Sequence, residues 1–583
     1  MISKSSPYST FILVFLFFYT ISYAASPGLR VEVKGVKGRL KGNVFAVLEI
    51  YQERNEKPLT GARIETLFKK GFLDIKKALI PFGYFDPAIS GTLKRDARGG
   101  LVATYLIQKG PVTKIATIKV EVVGPGRYDL VPIESMPFKP GERFRQRRYE
   151  RFKDGLLKRA QGLGYLDAHF KIHQVLIDVK NHKANIHLRL DTGPRYHFGR
   201  LTFKETTLSP LFLKGYADFK KGQPFDVTLL GRFRSRLLDS DYFRDVKIDY
   251  SKGKNASGNL VPVVVSCPMK KPNVFRFGLG YVSDVGPRVS LEWRRRYFGK
   301  NGHHLRGQFR YSSEETMLSG EYFIPLDRPY SDYFSLRPFI EHYDTDSRTG
   351  WKYNVATTYS VVLSNGWRRN AGINLGYENY DAAGEKKSSG ELVPFISWYK
   401  SVADNILYAN RGYSIKIGLS GEVGNFFANR SYLSSFLNTK FIRRLNPNYR
   451  IISRLDAGAI VTSDVTDIPS SARFYAGGQN SIRGFSLEEL GPVNKETGKV
   501  TGGKYLAVGS LELERHLYKQ VSGALFVDAG NAFDPKYQNK IEVGTGLGLR
   551  FKTVLGPVRL DFGFGISHKS VPFKFYLSVG PDF

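Results

Sequence analysis

Residues 543–551, VGTGLGLRF, and 557–566, PVRLDFGFGI, decide how this chain folds. In the second run Val558, Leu560, Phe562, Phe564 and Ile566 alternate with Arg559, Asp561, Gly563 and Gly565. In the first, Leu547, Leu549 and Phe551 alternate with Gly544, Gly546, Gly548 and Arg550. Successive strand side chains point to opposite faces, so each run has one apolar face and one face of charges and glycines. A soluble sandwich also alternates. Here the runs are about ten residues long, aromatics gather at their ends, and the charges share the glycine face, as in a membrane barrel with a polar lumen.

The same texture extends from Val274 to Phe583 and predicts about sixteen antiparallel strands, an even number as in bacterial barrels. Closure is required because every backbone group within lipid needs a partner inside the structure. The opening strand places Phe275, Phe277 and Leu279 toward lipid and Gly278 and Gly280 inward. The closing strand is expected to end at Phe583, with Phe573, Phe575, Leu577, Val579 and Phe583 opposite Lys574, Tyr576, Ser578 and Asp582. It carries Gly580-Pro581, and proline cannot donate to a ladder. A short, poorly bonded seam follows: a candidate lateral gate with Phe275, Phe277, Gly278 and Gly280 on one side and Ser578, Gly580, Pro581 and Phe583 on the other.

Upstream of Lys270-Lys271-Pro272 the pattern is different. Gly83-Tyr84-Phe85-Asp86 returns as Gly164-Tyr165-Leu166-Asp167 and as Asp241-Tyr242-Phe243-Arg244. Helical spacing precedes each copy, shown best by Phe225, Leu229, Phe233 and Leu237, and two strand-like runs follow. Three tandem β-α-α-β-β modules are expected, at 25–110, 111–194 and 195–271, before a barrel at 272–583. Residues 1–24 read as a leader: Lys4, an apolar run from Phe11 to Ile21, then Ser22-Tyr23-Ala24 as a cleavage site. Arg143, Arg145, Arg147, Arg148 and Arg151 crowd the second module's helix start and read as a solvated face.

Composition narrows the chemistry. Lys and Arg total 87 against 53 Asp and Glu, a net charge of +34. Export removes nucleic acid as the partner, leaving anionic lipid, lipopolysaccharide or an acidic protein. The single cysteine, Cys267, excludes an internal disulfide and argues against a cysteine-built metal site. His303-His304 has no third ligand nearby in sequence, and Gly544-x-Gly546-x-Gly548 lies on a strand and opens no helix. No nucleophile, base and orienting group stand at persuasive spacing, so neither catalysis, a cofactor nor a metal is expected.

One long connection remains, ARFYAGGQNSIRGFSLEELGP at 472–492, too rich in Gly, Asn and Ser for a strand. Arg483, Gly484 and Phe485 present a charge and an aromatic on a tight bend. Strand parity supplies inward carboxylates independently: Leu525 and Val527 face lipid, so Asp528 faces the lumen; Leu511 and Leu513 face out, so Glu512 and Glu514 face in.

Together GGQNSIRGF, the strand GSLELE (509–514), the run FVDAGNAF (526–533) and the terminal strand resemble the outer-membrane assembly superfamily that includes BamA, and the three modules resemble its POTRA domains. The longer match RFYAGGQNSIRGF…LGP is most similar to the TamA type. The resemblance implies that the sixth extracellular loop folds into the lumen, where Arg483 meets a carboxylate. Asp528 matches that position best and Glu512 second. It implies a factor that helps autotransporter-like or other barrel proteins insert into or cross the outer membrane, with POTRA docking of unfolded substrates and a TamB-like partner spanning the periplasm. The alternative is a two-partner secretion transporter passing a polypeptide through the lumen. A passive porin would not need the modules.

Overall fold

The computed structural model describes residues 29–583 apart from 55–58, 98, 131–135, 251–258, 283–285, 423, 425–430, 555 and 569. The expected leader, 1–24, lies outside the described residues. The chain divides into two compact units, residues 1–197 with 224–227 and 256–260, and the remainder.

The first unit contains two small α/β modules. In the first, β1 (Arg30–Lys34) is parallel to β3 (Leu101–Gln108), which is antiparallel to β2 (Ala88–Arg95). Between β1 and β2 lie α1 (Gly38–Val47), α2 (Glu49–Glu53) and α3 (Gly61–Leu79). Thr60 caps α3 by accepting from the Arg63 N–H, and Ile64, Leu67, Ile75 and Leu79 bury one helical face against Ala103 and Tyr105 of β3. The second module repeats the order, with β6 (Lys183–Asp191) between β4 (Lys114–Val123) and β5 (His169–Asp178), and α4 (Gln146–Gly162) as its long helix. Arg143 donates to the Phe82 carbonyl and lies 4.5 Å from the Tyr84 ring centroid, so one member of the arginine cluster ties the two modules.

The second unit begins with a third sheet in which β9 (Leu260–Ser266) lies between β7 (His197–Lys204) and β8 (Lys247–Asp249). Its helices are α5 (Pro210–Lys214) and α6 (Val227–Asp239), with Leu230, Phe233 and Leu237 of α6 buried. Phe225, expected on that helix, precedes it and is buried all the same. Tyr242 donates to the Gly302 carbonyl at 2.6 Å, and Asp241 accepts from Lys270 at 2.5 Å and Arg296 at 3.0 Å. The bonds to Gly302 and Arg296 seat the module on the barrel where β11 (Gly286–Phe298) turns into β12 (His303–Tyr311). Cys267 is buried there, and burial pushes its thiol up to about 12.

Sixteen antiparallel strands follow, each bonded to its sequence neighbours, from β10 (Asn273–Val282) to β25 (Phe573–Val579). Alternation fixes their faces: Leu547, Leu549, Phe562 and Phe564 are exposed on the outside, whereas Arg550 and Asp561 are buried within. His303 and His304 are engaged by aromatics, His303 with the Tyr322 hydroxyl at 2.6 Å and His304 stacked on Phe323. No described helix is long and apolar enough to cross a membrane; the strands do so.

Candidate functional site

Between β20 (Tyr449–Val461) and β21 (Tyr505–Tyr518) the long connection turns back into the barrel, where Ile482, Arg483 and Phe485 are almost fully buried. Gly484 makes the turn at φ 105°, and a Cβ there would stand 2.5 Å from the Gly565 backbone nitrogen. The glycines of Gly544-x-Gly546-x-Gly548 make room for this loop: a side chain on Gly544 would overlap the Arg483 carbonyl. The small inner face of β23 (Glu542–Thr553) and β24 (Gly556–Gly565) is thus the bed on which the loop rests.

Arg483 is held by two carboxylates. Its Nε and Nη2 donate to Asp528 on β22 (Val521–Phe533) at 2.7 and 2.9 Å, and its Nη1 donates to Glu512 on β21 at 2.8 Å. Its guanidinium lies 3.4 Å from the centroid of the Phe526 ring. Tyr576 on β25 accepts from the Gly484 N–H at 2.9 Å and donates to the Phe485 carbonyl at 2.8 Å. Arg483, Gly484, Phe485, Asp528 and Glu512 are therefore brought together: strand parity set the two carboxylates inward, and the resemblance implied the loop that meets them. Nearer the cell surface, Arg348 donates bidentately to Glu488 of the same loop at 3.0 and 2.9 Å.

A second set of charges joins this one, and its pairing was not read from the sequence. Arg550 pairs with Glu512 at 2.7 Å and Asp561 at 2.6 Å, Arg450 with Glu514 at 2.7 Å and Asp582 at 2.6 Å, and Arg559 with Asp582 at 2.7 Å. Loop tip and chain terminus therefore sit in one alternating network. Its signal was present in the lumen-facing arginines of β20, β23 and β24, each of which needs a carboxylate when buried.

The closing strand differs from expectation. β25 stops at Val579, so Gly580, Pro581 and Phe583 are not part of it. Pro581 has no N–H for a ladder, and Asp582 finds its partners inside: Arg450, the Ala409 N–H at 2.8 Å, and Lys440 donating to its carbonyl at 2.6 Å. Phe583 accordingly faces the lumen rather than lipid, packing against the buried cluster of Ala409, Ile442 and Ile452 with the Lys440 ammonium 5.5 Å from its ring centroid. Phe275, Phe277 and Leu279 of β10 do face outward, about 70% exposed (72%, 68% and 74%). Ser578 faces in and accepts from Gln479 Nε2 at 2.8 Å. Strands β10 and β25 lie side by side, yet among the described residues each is laddered on one side only, to β11 (Gly286–Phe298) and β24 respectively.

The Omp85 superfamily domain matches residues 270–583, more than half of the chain. This chain belongs to the Omp85 superfamily. The first POTRA domain of the TamA type matches residues 30–109. The outer membrane protein assembly factor BamA of Nitratidesulfovibrio vulgaris is 22% identical over 571 aligned residues, covering 92% of this chain and 70% of that protein. The human sorting and assembly machinery component 50 homolog is 26% identical over 367 residues, covering 57% of this chain and 73% of its own. The crystal structure of Haemophilus ducreyi BamA lacking POTRA domains 1–3 shares the fold at a TM-score of 0.69 and 16% identity, over 80% of this chain and all of that one. This Omp85 protein is thus an outer-membrane barrel whose N-terminal POTRA domains lie on the periplasmic side.

Proposed function

We propose that this Omp85 protein assists other polypeptides, among them unfolded outer-membrane proteins, to insert into or cross the outer membrane, in the manner of the TamA type. The observation that carries the reading is the seam without a ladder between β10 and β25. Each strand there keeps one edge free, and a free edge accepts an added strand from a substrate. The TamA-type POTRA match and the assembly-factor names of the relatives support the same reading.

A lateral route is favoured over passage through the lumen, because the Arg483 loop and the tail at Asp582 both occupy the interior. No nucleotide is needed: the work comes from strand pairing, with local thinning of the bilayer beside an unbonded wall. A TamB-like protein spanning the periplasm is the proposed partner, and the free edges of the small POTRA sheets are its proposed docking points.

The test is reconstitution in liposomes with an unfolded barrel substrate. Insertion should exceed that of protein-free liposomes and stop when the seam is crosslinked. Equal insertion with the seam closed would overturn the lateral route. Pull-down from solubilised envelopes through the POTRA domains should recover the periplasm-spanning partner, and failure to recover it would remove that part.

A further inference from the structure

The outward face of the barrel carries a pair of like charges with nothing to offset them. Arg411 opens β18 (Arg411–Glu422) and stands directly opposite Arg443, next to last in β19 (Tyr432–Arg444). Parity puts both outside: Tyr413 and Phe441, two residues further into the same strands, oppose each other on the same face, and Phe441 is exposed there. Both arginines are exposed as well. Like charges directly opposite across a ladder are destabilising. Among the described residues neither guanidinium has a hydrogen bond or an ion pair. Asp404, in the turn that leads into β18, is committed to the turn itself. Its Oδ1 accepts the N–H groups of Asn410 and Arg411 at 2.9 and 3.1 Å, and its Oδ2 accepts the Asn410 side-chain amide at 3.1 Å.

The depth of the pair follows from the direction of the chain. The turn between β11 and β12 is periplasmic, because Tyr242 of the third module donates to Gly302 there. Alternating from that turn, β18 rises from the periplasm and β19 returns to it, so both arginines lie at periplasmic strand ends. The rings of Tyr413 and Phe441 are stacked with centroids 6.3 Å apart, one same-face step of roughly 7 Å nearer the bilayer centre. They form part of the aromatic girdle at that interface. Arg515 of β21 extends the basic patch: it is exposed opposite Tyr449, with its guanidinium 5.8 Å from that ring's centroid.

Cations just outside an aromatic girdle lie in the headgroup layer, here that of the periplasmic leaflet. Lipopolysaccharide occupies the other leaflet, and an acidic protein would have to displace lipid from the wall to reach the pair. A phosphate fits both guanidiniums at once, since each offers paired donors to its oxygens, and it cancels the repulsion across the ladder.

We propose that Arg411 and Arg443 form a binding site for an anionic phospholipid of the periplasmic leaflet, its phosphate held between the two guanidiniums and its acyl chains laid over Tyr413 and Phe441. Two cations without a carboxylate favour a lipid of net negative charge over a zwitterionic one. The proposal rests on the outer-membrane location and is independent of the assembly role.

Native mass spectrometry of the full protein, delipidated in mild detergent and titrated with phosphatidylglycerol or phosphatidylethanolamine, reads this directly. The wild type should retain one phosphatidylglycerol in preference to phosphatidylethanolamine. Arg411→Gln with Arg443→Gln should weaken that retention about thirtyfold, and each single variant should fall between. Lys495→Gln with Lys499→Gln removes the same charge from exposed positions in the long loop between β20 and β21 and should leave retention unchanged. Heat-dependent gel mobility restricts the comparison to folded barrels, and the single variants keep the test open if the double one fails to fold. No retained lipid, equal retention of the two lipids, or equal losses in the arginine and lysine variants would overturn the assignment.

Discussion

Arg483 meets Asp528 three times over: its backbone N–H and its Nε both donate to Oδ2, at 3.1 and 2.7 Å, and Nη2 donates to Oδ1 at 2.9 Å. One carboxylate thus fixes both the path of the loop and the orientation of the guanidinium. A lysine would keep the charge but lose the paired hydrogen bonds.

Arg483→Ala should cost roughly 3–5 kcal/mol of barrel stability, since it takes from buried Asp528 the guanidinium that holds it, while Glu512 keeps Arg550. Asp528→Ala should cost less, because Glu512 still holds the arginine. The double variant should lie close to Arg483→Ala alone. Urea titration of the heat-modifiable band measures all three, and additive losses would mean that the two residues act independently. Arg483→Lys is expected to remain near the alanine level in assembly assays.

Asp582→Ala removes the acceptor shared by Arg450, Arg559 and the Ala409 N–H. Arg450 keeps Glu514, so the expected loss is about 3 kcal/mol, the lower end for a broken buried pair. Asp582→Asn retains an oxygen for the Ala409 N–H and should fall between wild type and alanine. A stability unchanged in both would show that the tail is not anchored in solution.

Closing the seam should stop assembly. With Cys267→Ala as background, cysteines at Gly278 and Ser578 on the inner side of β10 and β25 should trap it on oxidation, and reductant should restore activity. Full activity in a completely crosslinked sample would exclude a gate there. In the unmodified chain, Cys267 should resist thiol reagents at pH 8 until the third module unfolds, because burial pushes its thiol up to about 12 and the thiolate is the reactive form.

Acid should loosen the third module from the barrel. Burial alone would raise the Asp241 carboxyl, but hydrogen bonds from Lys270 and Arg296 hold it below its ordinary value, and Arg294 also faces it at 3.8 Å. A carboxyl depressed in the folded state lends stability above its unfolded pKa of about 3.9, and that stability is lost as pH falls through the folded value. Hydrogen exchange around Tyr242 should therefore accelerate below about pH 4. In Asp241→Asn it should already be fast at pH 7 and change little with acid.

Period-two alternation made the barrel legible, because lipid on one side leaves no freedom about which face is apolar. It also carried Asp528 and Glu512, whose inward direction depends only on neighbours such as Leu511 and Val527. The ending was not legible by the same rule. Parity assumes the strand continues and so put Phe583 on lipid, whereas the chain beyond Pro581 follows Asp582, which is inward as expected but anchored on Arg450, more than a hundred residues away.

The strand order of the small modules bears on how they come into being. In all three sheets the strand in the middle is the last one in the chain: β3, β6 and β9. The first two strands of each module are never neighbours, so neither can begin a sheet with the other while the chain is still emerging from the export channel. Each module therefore waits, open, for its final segment and then forms in one cooperative event, with the closure entropy of the whole module met at once. During that interval every strand of the module is unpaired in the periplasm, and a chaperone that binds extended chain has a defined moment in which to act.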